Sequence, residues 1–484
     1  MTALALFAVA LATRLPLLTD QFWAHDSVLY TRAVQVGFDP ADHRPQPPGY
    51  LWYVALVRVV DTLTADPVRA MTLISAVAAA ASVALLYLLA RRMYDERTGA
   101  IAALFLMTSV TFWGESLVAL PYTLLALCTV TVALLLWRVL ERAEPPHGGG
   151  VRGRRLALAS LAWGVAVGFR SDLAYFLAPA WLLAAVTVPL RWTLASAAAA
   201  GGAVLVWLGS TLALTPGGAE RYFAGLRDHL DFIDRQYSVS GRGMDALANN
   251  LRELARYTGR ALFALAGVLA VVLVSRDVQR IERREPRRAL FLFLWALAPL
   301  PVNVLVHAGE YGYVFSMLPG LCVIAARGTI GAARGARLPQ ALPWLAGAVV
   351  AVNAGIFLFS DQPLTRRDIA KRDDGIREKV AAIAPLAPHD RVIVVSAYDQ
   401  VIVEHHLPGR RRVAYLPDAT PSTEIPLTCA APTCLVFAWD EYFRTGSGWT
   451  TAVLPSGSLL RSIEVPSGAT LLVRDGLTLE VARP

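Results

Sequence analysis

Asp26 is the first carboxylate of a long polar interruption, FWAHDSVLYTRAVQVGFDPADHRPQPPGYLWYVALVRVV (22–60), where Phe22, Trp23, His25 and Tyr30 are its neighbours in sequence. A carboxylate among aromatic groups can take a proton from an acceptor hydroxyl while a new bond forms at that oxygen. The residue also precedes SVLYTRAVQV, an amphipathic stretch closed by Gly37, and an Asp at that point caps a helix N-terminus. The two roles are compatible, because one oxygen can cap while the other faces a substrate. His25 is a lesser candidate beside it.

Three further clusters carry polar chemistry. His43-Arg44-Pro45-Gln46-Pro47-Pro48-Gly49-Tyr50 is stiffened by its prolines; His43, Arg44 and Tyr50 either touch a phosphate or sugar or form a simple anchoring loop. Arg170-Ser171-Asp172 interrupts two apolar runs. A guanidinium at membrane depth is costly and suits a lipid-linked phosphate, against the alternatives of snorkelling or an internal pair with Asp172. His307-Ala308-Gly309-Glu310-Tyr311-Gly312-Tyr313 is a tight turn offering His307, Glu310 and Tyr311, while Glu115 sits in another turn and Arg14 ends the first apolar run. Taken singly, each of these is an interface residue; together they gather polar groups at one membrane face. No His/Cys spacing of a metal motif occurs and no cofactor is required, although a divalent cation held by Asp26 stays open. His405-His406 reads as surface.

These groups must be positioned by membrane helices. The 484 residues are 55% hydrophobic and only 17% charged, with mean hydropathy +0.47, against roughly 45–50% and about 25% in soluble chains. Apolar runs long enough to span a bilayer fall at 70–90, 116–137, 173–190, 192–219, 289–306 and 338–360, with shorter ones at 156–169, 261–275 and 311–326. The first run, 1–18, leads straight into polar and aromatic residues, as an uncleaved helix would. The net charge of +8 sits in short Arg-rich loops between spans, the positive-inside pattern and not a nucleic-acid groove.

The loop 276–288 packs six Arg against three acids, whereas the longer loop 216–259 balances six Arg with six acids. The denser one is therefore cytoplasmic. Threading the spans alternately predicts about eleven, with the N-terminus inside. Loops 19–67, with two interfacial helices, and 216–259 then lie outside, as does the tail.

The tail, 361–484, reads as a small soluble α/β domain that is structural or docks an acceptor. A helix is predicted at 368–383, strands at 391–396, 413–416, 434–439 and 469–474, and a further helix at 398–406. Cys128 and Cys322 are packing residues; Cys429 and Cys434 are bridged or free according to compartment.

The pattern resembles the GT-C superfamily of integral membrane glycosyltransferases, in particular the bacterial branch related to protein O-mannosyltransferases and the lipid A aminoarabinose transferase (glycosyltransferase family 39-like). The resemblance rests on Arg14-Leu15-Pro16, W-x-x-D-x-x-x-Y (Trp23, Asp26, Tyr30), H-R-P-Q-P-P-G-Y (43–50), GFRSDLAYFLAPAWL (168–182) and HAGEYGYVFSMLP (307–319). It covers the membrane domain, 1–360. The resemblance implies a polytopic α-helical GT-C fold in the plasma (inner) membrane. It further implies inverting transfer of a sugar from a polyprenyl-phosphate donor to an envelope glycan, lipid or protein on the outer face, with Asp26 as base. Where many relatives carry Asp-Glu, this chain has Asp26-Ser27, which leaves the acceptor open. Glu310-Tyr311 stands where many have a basic residue, which shifts the donor-phosphate role toward Arg170 and Arg44. The rival classes are a polytopic transporter or lipid flippase, which would show matched broken helices in paired repeats, and a non-catalytic envelope-assembly protein.

Overall fold

A computed structural model describes residues 1–141, 149–266, 269, 286–335, 337–386, 389–397, 399–414, 422–474 and 477–482. The chain divides into two compact units. The first comprises Met1–Leu18 and Tyr30–Arg366, the second Thr19–Leu29 and Arg367–Pro484.

The first unit is helical. In chain order its elements are α1 (Thr2–Ala12), the C-terminal part of α2 (His25–Gln35), α3 (Leu51–Thr64), α4 (Pro67–Met93), α5 (Glu96–Thr108), α6 (Val110–Glu115) and α7 (Tyr122–Leu140). They continue as α8 (Gly149–Phe169), α9 (Leu173–Ala185), α10 (Leu190–Leu214), α11 (Gly218–Tyr237), α12 (Val239–Arg242) and α13 (Met244–Leu262). After residues outside the description come α14 (Pro286–Leu297), α15 (Leu300–Leu305), α16 (Leu318–Gly335) and α17 (Leu342–Phe359).

Among the described residues, five helical stretches are long and apolar enough to cross a membrane: Pro67–Met93, Tyr122–Leu140, Leu190–Leu214, Pro286–Leu305 and Pro339–Phe359. Thr2–Leu17 and Leu173–Ala185 are shorter apolar helices. The expected span 261–275 and the basic loop 276–288 fall largely outside the described residues, as do 142–148 of the basic linker.

Lipid gives helices no hydrophobic reason to associate, so close packing of small residues has to do it. Helices α8 and α10 pack on each other, and at Gly164 a Cβ would come within 2.5 Å of the Ala200 carbonyl oxygen. Helix α4 packs against α5 and α7, presenting a buried alanine run, Ala78, Ala79 and Ala80. Its start is fixed by Asp66, which accepts from the amides of Val68 and Arg69, an N-cap worth about 1 kcal/mol.

Several elements depart from the sequence expectation for local reasons. The run 116–137 begins its helix only at Tyr122, because Pro121 is the N-cap and proline disfavours helix in the residue before it. Helix α8 starts at Gly149, inside the basic linker, so its 21 residues span about 31 Å and Arg170 comes at its far end. The segment 216–259 is not an open loop: its charges pattern α11, α12 and α13 with polar faces, and few of their residues are buried. Pro299 breaks the run 289–306 into α14 and α15.

Among its described residues the second unit contains α18 (Arg366–Ile383), α19 (Gln400–His406) and nine strands. Strands β1 (Val392–Ser396), β2 (Arg411–Ala414), β4 (Thr433–Ala438), β6 (Thr450–Val453) and β7 (Leu459–Pro466) form a five-stranded sheet of order β2-β1-β4-β7-β6. Strands β3 (Ser422–Leu427), β5 (Arg444–Thr445), β8 (Ala469–Arg474) and β9 (Thr478–Ala482) form a four-stranded sheet of order β3-β8-β9-β5. Strand β1 is parallel to β2 and β4 and buried throughout, as a strand covered on both faces must be. Ile393, Val395 and Val436 of one sheet and Leu471 and Val473 of the other share a single core.

The predicted helices and strands at 368–383, 391–396, 398–406, 434–439 and 469–474 are present, apart from residue 398, which is outside the description. The strand expected at 413–416 appears as β2, with 415–416 outside the description. Five strands, β3, β5, β6, β7 and β9, were not foreseen; their alternation is weak and their edges polar. Cys429 and Cys434 are disulfide-bonded, with Cα atoms 5.9 Å apart. The surface reading of His405-His406 needs correction: His405 is exposed, but His406 is half-buried and its Nε2 is enclosed.

Candidate functional site

Arg170 follows α8 in a tight turn and is only 7% exposed. Its Nε and Nη2 donate to the Asp172 carboxylate at 3.1 and 2.9 Å. The guanidinium lies over two tyrosine rings, 5.2 Å from Tyr122 at the start of α7 and 4.9 Å from Tyr313. Such cation–π contacts strengthen as water is removed. Tyr313 is held by a 3-10 helix, Tyr311–Ser316. Gly312 permits the close approach, since a Cβ there would fall 2.0 Å from Cγ of Tyr122.

His307 joins this cluster. Its ring lies 4.2 Å from Tyr237 of α11 and 5.6 Å from Tyr313. Burial, with the nearby charges of Arg170 and His229, pushes its pKa down to about 4, so the imidazole is neutral at physiological pH. Its Nδ1 is buried without a hydrogen-bond partner among the described residues. Gly309 again makes room, a Cβ there meeting the His307 ring at 2.1 Å.

The stretch 39–50 borders the same cluster. Asp39 and Arg44 exchange backbone hydrogen bonds of 2.8 and 2.9 Å, closing a small turn that presents His43 in a left-handed conformation, φ +50°. The Arg44 guanidinium is engaged by Asp39 at 3.3 Å and Asp42 at 3.0 Å. Asp39, almost fully buried, also binds Arg221 of α11 at 2.9 Å. The Tyr222 hydroxyl donates to the Pro48 carbonyl at 3.3 Å, and the His43 ring lies 6.2 Å from His229. Tyr50 is another left-handed non-glycine residue, φ +46°. Its ring meets Tyr30 edge-on at 5.6 Å, and it interacts electrostatically with Arg170. Backbone conformations of this kind persist only where surroundings enforce them, and they concentrate at functional sites.

The remaining candidates have separate settings. Arg14 is fully buried, donating to the carbonyls of Ala10 at 2.9 Å and Met107 at 2.8 Å, over the Trp113 ring. It ties α1 to the end of α5. Glu115, at the end of α6, is 1% exposed and neither carboxylate oxygen has a partner among the described residues. Glu310 is near enough to interact with it electrostatically. The Tyr311 hydroxyl accepts from Arg260, and its ring lies 4.6 Å from Tyr257. No group of three or more His, Cys, Asp or Glu arranged to hold a metal ion occurs among the described residues.

Asp26 belongs to the second unit. Helix α2 begins at His25, so Asp26 lies inside its first turn and does not precede it. The reciprocal closure of the helix start is made instead by Ser27, whose Oγ accepts from the Ala24 amide at 3.4 Å while its own amide donates to the Ala24 carbonyl at 3.1 Å. This resembles the return bond of a capping box. The Asp26 carboxylate stays half-buried near the positive end of the helix, where a negative charge is stabilised.

In the first unit, then, the structure brings Arg170, Asp172, Tyr50, His43 and His307 into one connected cluster. Sequence reasoning missed Tyr122, Tyr313, Tyr237 and His229. The available signal was weak: tyrosines at span ends are the usual interfacial belt, and His229 stands alone in a charged helix.

Residues 45–214 match the family model described as dolichyl-phosphate-mannose-protein mannosyltransferase. None of the curated proteins matches the chain in sequence. Among solved structures, ArnT from Cupriavidus metallidurans bound to undecaprenyl phosphate is similar at 13% identity and TM-score 0.58, covering 95% of this chain and 97% of that one. Its apo form gives 12% identity and TM-score 0.55, with 95% and 96% covered. The Archaeoglobus fulgidus oligosaccharyltransferase, described in complex with Zn and sulfate, gives 14% identity and TM-score 0.50, with 96% and 75% covered. The chain therefore shares the fold of these proteins over nearly its whole length, and residues 45–214, which include Tyr50, Tyr122, Arg170 and Asp172, match the mannosyltransferase family model.

Proposed function

We propose that the protein transfers a sugar from a polyprenyl-phosphate donor to an acceptor hydroxyl or amine on the extracytoplasmic face, with inversion. The acceptor heteroatom forms its bond to the anomeric carbon as the carbon–phosphate oxygen bond breaks. The proton passes to the Asp26 carboxylate, and the electron pair leaves with the polyprenyl phosphate. Arg170 meets the charge that develops on that phosphate, a preorganised interaction of the kind that lowers barriers most.

The observation that carries this reading is the Arg170 cage. A guanidinium enclosed by two tyrosine faces has its Nε and Nη2 on Asp172, and a guanidinium has five N–H donors in all. The fork can therefore serve a phosphate while its carboxylate partner holds it in place. Support for a lipid-phosphate donor comes from similarity to a protein seen with undecaprenyl phosphate. The disulfide Cys429–Cys434 suits an oxidising compartment, and so supports an extracytoplasmic C-terminal domain.

The test is Asp26→Asn, assayed in vesicles for release of polyprenyl phosphate from a panel of polyprenyl-phosphate hexoses and pentoses. Turnover should fall at least about 10³-fold, of the order lost when a general base is removed, with expression and melting temperature unchanged. Full activity in that variant would sink the assignment of the base.

A further inference from the structure

The segment that bears Asp26 is fastened to the C-terminal domain. Residues Thr19–Leu29 cluster with Arg367–Pro484, more than three hundred positions away in sequence. Phe22 is 2% exposed, with its ring 4.6 Å from His405, edge-on, and 5.6 Å from His406 of α19. Thr19 donates its hydroxyl to the Asp373 carboxylate of α18 at 2.6 Å, both residues being buried. The Trp23 ring lies under the Arg372 guanidinium at 5.4 Å. Arg372 is fixed in turn by Asp399 at 2.9 Å, whose other oxygen accepts from the Trp439 indole at 3.3 Å. The outer pair Asp20–Arg377, at 2.8 Å, is largely exposed and adds little.

Three buried or half-buried contacts therefore end at Trp23, three residues before Asp26, and the Ala24–Ser27 closure carries that fixation into the first turn of α2. A soluble domain appended for acceptor docking alone would have no reason to grip this strand of the first loop so closely. A base, by contrast, has to be held within about 0.5 Å of its productive position.

We propose that the C-terminal domain is a positioning element of the transferase, with Phe22, Thr19–Asp373 and Trp23–Arg372 setting where α2 begins and hence where Asp26 stands. This rests on the reading of Asp26 as the base. Severing the grip then slows chemistry without weakening donor binding.

The experiment uses the full-length protein in vesicles with the same donor panel. It compares Phe22→Ala, Phe22→Leu and Thr19→Val, and adds hydrogen exchange at the amides of residues 24–29. Phe22→Ala should lower kcat by about 10–100-fold, the range for a reacting group displaced by about 1 Å, with donor KM within about twofold. Phe22→Leu should restore most of the rate, and Thr19→Val, which keeps shape and removes the hydroxyl, should lower kcat severalfold. Exchange at 24–29 should quicken in Phe22→Ala. Unchanged exchange in that variant, or unchanged kcat with faster exchange, overturns the proposal, as does a loss confined to KM. If Phe22→Ala does not fold, Thr19→Val decides on the same two readouts. Asp26→Asn run alongside separates the two ideas. An active Asp26→Asn protein removes the base, whereas an inactive one beside a fully active Phe22→Ala protein removes only the positioning.

Discussion

At the scale of single residues, Arg170 shows how a buried charge is made tolerable. Burying a charge away from water is costly unless the charge is paired and hydrogen-bonded. Here the cost is offset by an Asp172 pair and two tyrosine faces. That arrangement suits a planar, delocalised cation and not a point charge. Arg170→Lys should therefore behave more like Arg170→Ala than like wild type in the proposed reaction. Both should raise the donor KM by about tenfold or more, since a charge-assisted hydrogen bond contributes roughly 1.5–3 kcal/mol, and leave acceptor dependence nearly unchanged. Donor titrations at fixed acceptor check this; an unaltered donor KM in both variants would return Arg170 to a purely structural role.

At the scale of elements, the prolines and charges between spans build the site's walls. The turn at 39–44 and helix α11 are joined by one buried carboxylate, Asp39, serving both Arg44 and Arg221, and by the Tyr222–Pro48 hydrogen bond. Since both arginines are partly exposed, solvent screening discounts the pair energy. Asp39→Ala is expected to destabilise the junction by about 1–3 kcal/mol, the usual cost of stranding buried hydrogen-bonding groups. Protease nicking within 216–243 and exchange at 39–44 should rise together. Were only one of the two segments to loosen, the carboxylate would not be what couples them. The same helix carries Tyr237 onto His307, so this variant should also lose activity while spectroscopic helix content stays close to wild type.

At the scale of the whole molecule, the C-terminal domain has its own pH response. Burial, reinforced by the neighbouring His405, depresses the pKa of His406 to about 4, below the usual 6.5 or so. A histidine kept neutral in the fold must be charged on unfolding at acid pH. Its contribution is thus complete above about pH 6.5 and is lost as pH falls through about 4. Asp373 and Asp440 run the other way: burial raises each to about 6, so their neutral forms favour the fold at low pH and that support is lost as pH rises through about 6. Melting of the intact protein at pH 7.5 and pH 4.5 should show a smaller acid loss in His406→Gln than in wild type. An identical loss in both would mean that His406 does not titrate with unfolding.

Much of this was legible in the chain itself. Composition decided that the protein is a membrane protein, and uninterrupted apolar runs such as 70–90 and 192–219 marked the helices, because a backbone in lipid has to satisfy its own hydrogen bonds. The buried run RVIVVS announced β1, and the change of composition near 361 announced a second compact unit. Element boundaries moved where proline or a flanking basic stretch intervened, as at Pro121 and Gly149. Asp26 and Arg170 stood out because an ionisable group beside apolar runs is conspicuous in any sequence. Their surroundings did not. Tyr122 and Tyr313 cage Arg170 only because α7 and the 3-10 turn after α15 meet at Gly312. Phe22 packs on His405 and His406 across almost the whole length of the chain. Local periodicity fixes which residues share a face of one element, but not which faces of distant elements meet. That is settled by packing, and only the tertiary structure shows it.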